Sequence, residues 1–291
     1  MARPTRPSGL SSSWAAPRRR PRVRLSPGAA LAAALLGLVV LATLAAPVLA
    51  SRDWDAQDLA HRLAPPGSPG SPLGTDSLGR DILARVLYGG RVSLLVGVTA
   101  VVLSGAAGTL LGLTSGYFGG WWDGLVMRVV DVWQAVPYLA LALGMAVVLG
   151  PGLQNVVLVL ALSSWPTFAR VARGQALSVR ASEALLAARV VGATDLRILS
   201  RHVLPQVAGT IVVLASLLVP SMILFEASLS FLGVGVQRPT PSWGNMLLDG
   251  VDVLDTAWWV AFFPGLAVLL AALAVNVLGD WLRDALDPRL N

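Results

Sequence analysis

The chain has 291 residues, of which 55% are hydrophobic and only 13% charged, and its formal net charge is +6. A water-soluble domain of this size needs far more charge on its surface, and the apolar residues come in runs close to the roughly 20 needed to cross a bilayer. Lipid is therefore the expected solvent, and because the positive charge falls beside the apolar runs it does not imply nucleic acid as a partner.

In chain order, residues 1–27 are rich in arginine, proline and serine and are expected to form a disordered tail. Arg18, Arg19, Arg20, Arg22 and Arg24 then precede an apolar run from Ala29 to Ala50. The order resembles a signal peptide, but the run is too long for a signal's apolar core, so 28–50 reads as an uncleaved first transmembrane helix. Residues 51–91 form an extracytoplasmic segment. Its Ala64–Gly70 stretch holds too many breakers for a helix, and Asp81–Tyr88 reads as a short amphipathic helix lying on the outer face. The second span, near Leu94–Ser115, carries small residues every fourth position: Ala100, Ser104, Gly108, Gly112 and Gly116. One helix face is thus nearly bare backbone and open to close packing. Further spans lie near Val132–Leu149, Leu153–Ala169, Val207–Ala227 and Ala257–Leu278. Between the last two, Gly233–Asp255 is polar, with Pro239, Pro241 and Trp243. Trp121, Trp122, Trp133, Trp165, Trp258 and Trp259 lie at or near span ends, where indole prefers the interface.

All 22 basic residues are arginine. With the N-terminus inside and six spans, 16 of these arginines fall on the inner side and six on the outer. Arginine excess marks the cytoplasmic face, so both termini are expected in the cytoplasm. Residues 281–291 are then a cytoplasmic C-terminus.

The longest inner segment, 171–206, holds signals for two short helices. Ser182 can cap a helix running to about Val191, and Gly192 can end it in the left-handed conformation. Thr194 can cap the next helix, with Asp195 in its first turn, and Pro205 marks the transition to the fifth span. Ala184, Leu185, Leu186, Ala187 and Ala188 make a small apolar knob that suits a partner's groove better than water.

Enzyme chemistry finds little support. Without lysine there is no phosphate-binding Gly-Lys loop, so ATP hydrolysis must lie on another polypeptide. Cysteine is absent, which excludes disulfides, a thiol nucleophile and cysteine metal sites. His61 and His202 are too few and too far apart for a histidine metal centre or a catalytic triad. Two acidic residues sit at span ends, Asp131 and Glu226. Asp131 is in reach of Arg128 at i,i+3, and ionisable groups in a span are candidates for a solute path. A stand-alone secondary transporter would place charge or unwound helix near the bilayer midplane, and the spans carry no charge at their centres.

Leu186-Ala187-Ala188, three residues, Gly192, nine residues, then His202-Val203-Leu204-Pro205 resembles the cytoplasmic signature of the permease subunits of binding-protein-dependent ABC importers. That signature has Glu where this chain has Leu186, while Glu183 lies one turn earlier. The resemblance runs from Pro72 onward and is closest to the second permease of dipeptide, oligopeptide and nickel importers. It rests on the stretches Pro72–Asp81, Tyr88–Leu94, Met127–Asp131, Glu226–Gly233, Pro241–Gly244 and Gly279–Leu290. It implies an all-α integral membrane protein of about six transmembrane helices with the type I ABC importer (MetI-like) permease fold, its transmembrane domain spanning 92–280. It implies residence in the cytoplasmic membrane and a heterodimer with a second permease subunit. Two ATPase subunits that bind ATP and Mg, and an extracytoplasmic solute-binding protein, complete the expected assembly, with no cofactor in this chain. On the resemblance, Glu183, Leu186, Ala187, Ala188, Arg189, Gly192, Ala193, Asp195, Leu204 and Pro205 are the ATPase-coupling candidates, and Glu226, Ser228 and Asp131 the solute-path candidates. The implied mechanism is alternating access. The implied solute is a di- or oligopeptide, with a nickel or metal chelate, glutathione or an oligosaccharide as alternatives.

Overall fold

A computed structural model describes residues 26–286. The arginine-rich tail and the final Asp287–Asn291, both part of the sequence reading, lie outside the described residues. Helices α1 (Pro27–Leu44), α2 (Ala46–Leu49), α3 (Ile82–Phe118), α4 (Gly120–Ala135), α5 (Tyr138–Leu149) and α6 (Leu153–Arg180) are followed by α7 (Glu183–Val190), α8 (Asp195–Ile198), α9 (Leu204–Phe231), α10 (Trp243–Val251) and α11 (Trp259–Leu286). No strand occurs among the described residues. Five stretches are long and apolar enough to cross a membrane, or six if α4 and α5, bent by 94° at their junction, count as one. The all-α membrane fold is as expected.

One end of the bundle, the cap, is built from residues 51–81 and 232–258. The other, the tip, carries α7 and α8. The main packing axis is α3 against α6. A Cβ placed on Gly108 would lie 2.2 Å from the Trp165 carbonyl oxygen, one on Gly112 2.2 Å from that of Ala169, and one on Gly116 2.8 Å from that of Arg173. The small-residue ladder therefore seats backbone on backbone. Ala100, Phe168, Val159, Leu160 and Met222 fill the core beside it.

Three expectations change. The surface helix expected over Asp81–Tyr88 is the first two turns of α3, a single helix of 37 residues that runs about 55 Å. Gly89 and Gly90 do not break it because they are packing positions: a Cβ on Gly90 would lie 2.4 Å from Thr43 Cγ2 and 2.8 Å from the Trp243 ring. The first span stops at Leu44 because Pro47 removes a backbone donor. The freed carbonyls of Thr43 and Leu44 accept from the Arg91 guanidinium, both at 2.5 Å. The span expected as continuous over Val132–Leu149 is bent, since Pro137 drives Val136 to an extended conformation (ψ 131).

The cap is tied by buried charge. Asp76 Oδ1 accepts from the backbone N–H groups of Leu78 and Arg80. Its Oδ2 accepts from Arg80 Nε at 2.7 Å and Arg85 Nη1 at 2.8 Å. Both guanidiniums continue to Asp249 of α10, at 3.4 and 3.3 Å, and Arg238 closes onto the same carboxylate. Thr75 holds the loop by donating to the His61 carbonyl and accepting from the Ala64 N–H, while its own carbonyl accepts from Trp259 Nε1. Gly79, at φ +72, leaves no room for a side chain: a Cβ would sit 1.8 Å from the Asp58 carbonyl oxygen. Asp81 caps α3 through the Ala84 N–H at 2.9 Å, and burial pushes its carboxyl up against the pull of that bond.

Candidate functional site

The tip is a helical hairpin seated on the ends of the long helices. Ser182 takes the extended conformation of an N-cap (ψ 143), but its side chain caps nothing, and its buried Oγ has no partner among the described residues. Helix α7 ends with the Gly192 N–H on the Arg189 carbonyl and the Ala193 N–H on the Ala188 carbonyl, and Gly192 has φ +82. These paired bonds close a helix end through a left-handed glycine. Leu185 is buried with Ile198 and Val203 against Leu113, Tyr117, Ala172, Ala176 and Val179, so the hairpin is fastened to α3 and α6. Ala188 and Ala193 are half-buried against the same cluster. The opposite side shows apolar surface: Leu186 is 54% exposed, Val190 87%, Val191 88% and Leu196 78%.

A polar contact ties the hairpin to α3. Tyr117, in the last turn of α3, donates its hydroxyl to Asp195 Oδ1 at 2.5 Å, and the Arg189 guanidinium lies 5.4 Å from the centre of the Tyr117 ring. A carboxylate in the first turn of α8 also opposes the positive end of that helix. From Asp195 the chain runs as one helical stretch to Phe231. Residues Leu199–Val203 form a wide π turn, closed by the Leu204 N–H on the Leu199 carbonyl. Pro205 supplies the reason: it has no N–H for the carbonyl one turn back, and a π turn absorbs the missing bond. The transition into the fifth span that Pro205 marks in the sequence is this turn, within a continuous helical stretch.

The coupling candidates thus divide by where they point. Glu183, Leu186, Ala187, Arg189, Gly192, Asp195, Leu204 and Pro205 are exposed, while Ala188 and Ala193 are turned half inward. The solute-path candidates do not come together. Asp131, exposed on α4, pairs with Arg170 of α6 at 2.7 Å rather than with Arg128, and neighbouring Asp123 binds Arg173 through both oxygens. Ser228 is exposed and bonds back to the Leu224 carbonyl. Glu226 is fully buried: Ser93 Oγ donates to it at 2.6 Å and Ser230 Oγ at 2.8 Å. The same two hydroxyls accept from the backbone N–H groups of Trp243 and Val236. Glu226 thereby fixes α3, α9 and the start of α10 to one another.

Sequence reasoning missed Tyr117, Arg85 and Asp249. Tyr117 lies 78 residues from Asp195, beyond any local pattern. The density of Asp and Arg in Pro72–Asp81 was a signal for the cap's charge cluster.

Comparison with known proteins agrees with this architecture. Residues 108–291 match the family model of the binding-protein-dependent transport system inner membrane component. The chain is 43% identical over 258 residues to the di/tripeptide transport system permease protein of Pseudomonas aeruginosa, covering 87% of this chain and 85% of that one. It is 47% identical over 218 residues to the glutathione transport system permease protein of Escherichia coli, covering 75% and 72%. A chain of the MetNI methionine ABC transporter in an inward-facing conformation superposes with a TM-score of 0.53. It shares 20% identity and covers 70% of this chain and 96% of its own, a likeness of fold.

Proposed function

The chain belongs to the family of binding-protein-dependent transport system inner membrane components, and we propose that it forms half of the path by which an ABC importer moves peptides across the cytoplasmic membrane. The observation that carries this reading is the tip, a rigid hairpin with Leu186, Val190, Val191 and Leu196 turned outward. Apolar surface held on a firm base is what a partner's groove requires. We assign that partner as an ATPase subunit, one of two, which bind and hydrolyse ATP. The exposed coupling residues around Ala187 and Gly192 meet its groove. A second, similar permease supplies the other half of the path, and an extracytoplasmic binding protein delivers solute to the cap. The tip and both termini then lie in the cytoplasm, in keeping with the arginine excess there. Glutathione, a tripeptide, falls within the same solute class.

Transport by this assembly is a shift between states, and ATP supplies the differential binding that drives it. The permease contributes shape and linkage. Displacement of the hairpin reaches α6 through Ala181 and α9 through the π turn. It reaches α3 through Leu185 and the Tyr117–Asp195 bond.

Reconstitution tests the reading. ATP-driven peptide uptake is expected only when this chain, the second permease, both ATPases and the binding protein are all present. Uptake by this chain alone under a proton gradient refutes it in favour of a secondary transporter. Alkaline phosphatase fused after Leu63 or Asp252 is expected to be active, and fused after Ser178 inactive; activity at Ser178 overturns the assigned orientation.

A further inference from the structure

The bend between α4 and α5 leaves backbone unbonded inside the membrane. The last carbonyls of α4 have no helical partner, and neither do the first N–H groups of α5. The Val136 N–H makes no backbone hydrogen bond, and no side chain caps the start of α5. Gln134, Ala135, Val136 and Pro137 are all exposed.

Depth makes this exposure informative. From Pro137, α5 climbs 12 residues to the cap side, about 18 Å at the rise of an α-helix. There Gly152 donates its N–H to the Gly235 carbonyl. Tyr138, at the bend, meets Ser164 in the middle of α6, and the first charge beyond that level on α6 is Arg170. With a hydrocarbon core of about 30 Å, the bend lies within it. Irregular backbone at that depth is tolerated only where protein buries it or water reaches it. A neighbouring transmembrane helix bonds its own backbone and brings few groups to answer these carbonyls and amides. Water, and a peptide with its own N–H and C=O groups, bring both.

We infer that the bend at Gln134–Pro137 and the groove rising from it along α5 line the translocation path, with the free backbone groups and the Gln134 amide receiving the main chain of the transported peptide. The groove holds ≈ 450 Å³ and is walled by Val136, Ala140, Leu141, Gly144, Val148 and Leu162, among others. Apolar walls make few demands on side-chain identity, and a few polar groups at one end set orientation. This matches a solute defined by its backbone. The inference rests on the importer reading and names the surface it uses.

The chain's lack of cysteine makes the test direct. Gln134→Cys and Ala140→Cys are each assembled with the partner subunits and treated with a charged, membrane-impermeant thiol reagent, the unsubstituted assembly giving the background. The expected result is reaction at both positions, a loss of uptake of tenfold or more, and slower reaction when peptide and ATP are present. Two substitutions guard against one that fails to assemble. Absence of reaction at both positions, or reaction that leaves uptake unchanged, overturns the inference. So does photocrosslinking from position 134 that traps the second permease and never a labelled peptide. Failure of the importer reading looks different: the unsubstituted assembly then shows no ATP-driven uptake before any reagent is added.

Discussion

The two ends of the molecule invert each other. At the cap, charge is buried: the side chains of Asp76, Arg80 and Arg85 are 4% exposed or less and bonded to one another and to Asp249. At the tip, apolar side chains stand in the open, and the buried Ser182 hydroxyl finds no partner among the described residues. Burying paired charge is costly unless every group is satisfied, and the cap meets most of that demand with its own residues. Exposed apolar surface also carries a free-energy cost until something covers it. Arg85 Nε and Asp81 Oδ1 are the buried cap atoms left without a hydrogen-bond partner among the described residues, so the cap is nearly complete within one chain, whereas the tip is a half-built interface. Stability should respond to changes at the first, and assembly to changes at the second.

The sharpest way to break this contrast is at Asp76. Asp76→Ala removes the closer of the two acceptors that Arg80 and Arg85 share and leaves both guanidiniums buried with Asp249 as their one shared acceptor, a loss of about 3–5 kcal/mol. The expected outcome is a large fall in folded protein, read from membrane yield and thermal unfolding in detergent. Normal yield and unfolding temperature would show that the cap's charges are dispensable.

Next in size are two neighbouring alanines. Ala187 is exposed and Ala188 half-buried on Leu185's cluster. Ala187→Arg should leave yield and unfolding temperature unchanged while ATPase co-purification and uptake fall at least tenfold. Ala188→Arg should lower the unfolding temperature as well, because it crowds the hairpin's own base. Equal stability in the two variants would contradict the assignment of faces.

Tyr117→Phe probes the link between tip and bundle. It deletes one hydrogen bond to a charged acceptor, worth about 1.5–3 kcal/mol. ATPases should remain bound while solute moved per ATP falls severalfold. Asp195→Asn keeps an acceptor and should retain most coupling, whereas Asp195→Ala should lose it and make Tyr117→Phe harmless on top. Multiplying effects in the double variant would show that the two residues act apart.

The smallest effect belongs to an exposed cap pair. His61 bonds Asp58 at 2.8 Å and, as the largest influence, holds its carboxyl below the usual carboxylate range. A lowered folded pKa stabilises above the unfolded value of about 3.9 and is lost as pH falls through the folded one. His61→Ala should leave the unfolding temperature at pH 7 nearly unchanged and raise the Asp58 carboxyl toward its ordinary value, followed by carbon-13 titration. No movement there would place the cause elsewhere.

Much of the fold was legible because hydrophobic runs and small-residue spacing are local signals. The four-residue repeat ending at Gly116 announced the α3 face that meets α6, and Gly192 announced the end of α7. What escaped depends on contacts between distant segments. Asp131 had Arg128 in reach along its own helix, yet Arg170 of α6 takes it. The short helix expected over Asp81–Tyr88 ends before Gly89 and Gly90, and only contacts with Ser242, Thr43 and Trp243 show these glycines to be packed helix interior. Glu226 looked like a group at the edge of a span, and Ser93, from 133 residues earlier, encloses it. In the candidate site, spacing located the hairpin but could not say that Ala188 turns inward and Ala187 outward.

The glycine seats on α3 also limit how the protein can move. Gly108, Gly112 and Gly116 meet the carbonyls of Trp165, Ala169 and Arg173, so both partners repeat every four residues, like matched teeth. Sliding α3 by a full turn toward the tip would carry the side chain of Ser104 onto a carbonyl that now has room only for hydrogen. A shift of one residue would present Thr109 or Leu113 instead. Toward the cap the same slide would bring Gly112 and Gly116 into the first two seats, so glycine would still meet the carbonyls there. The ladder is therefore a one-way stop: it resists slip of α3 toward the tip and leaves the opposite direction open.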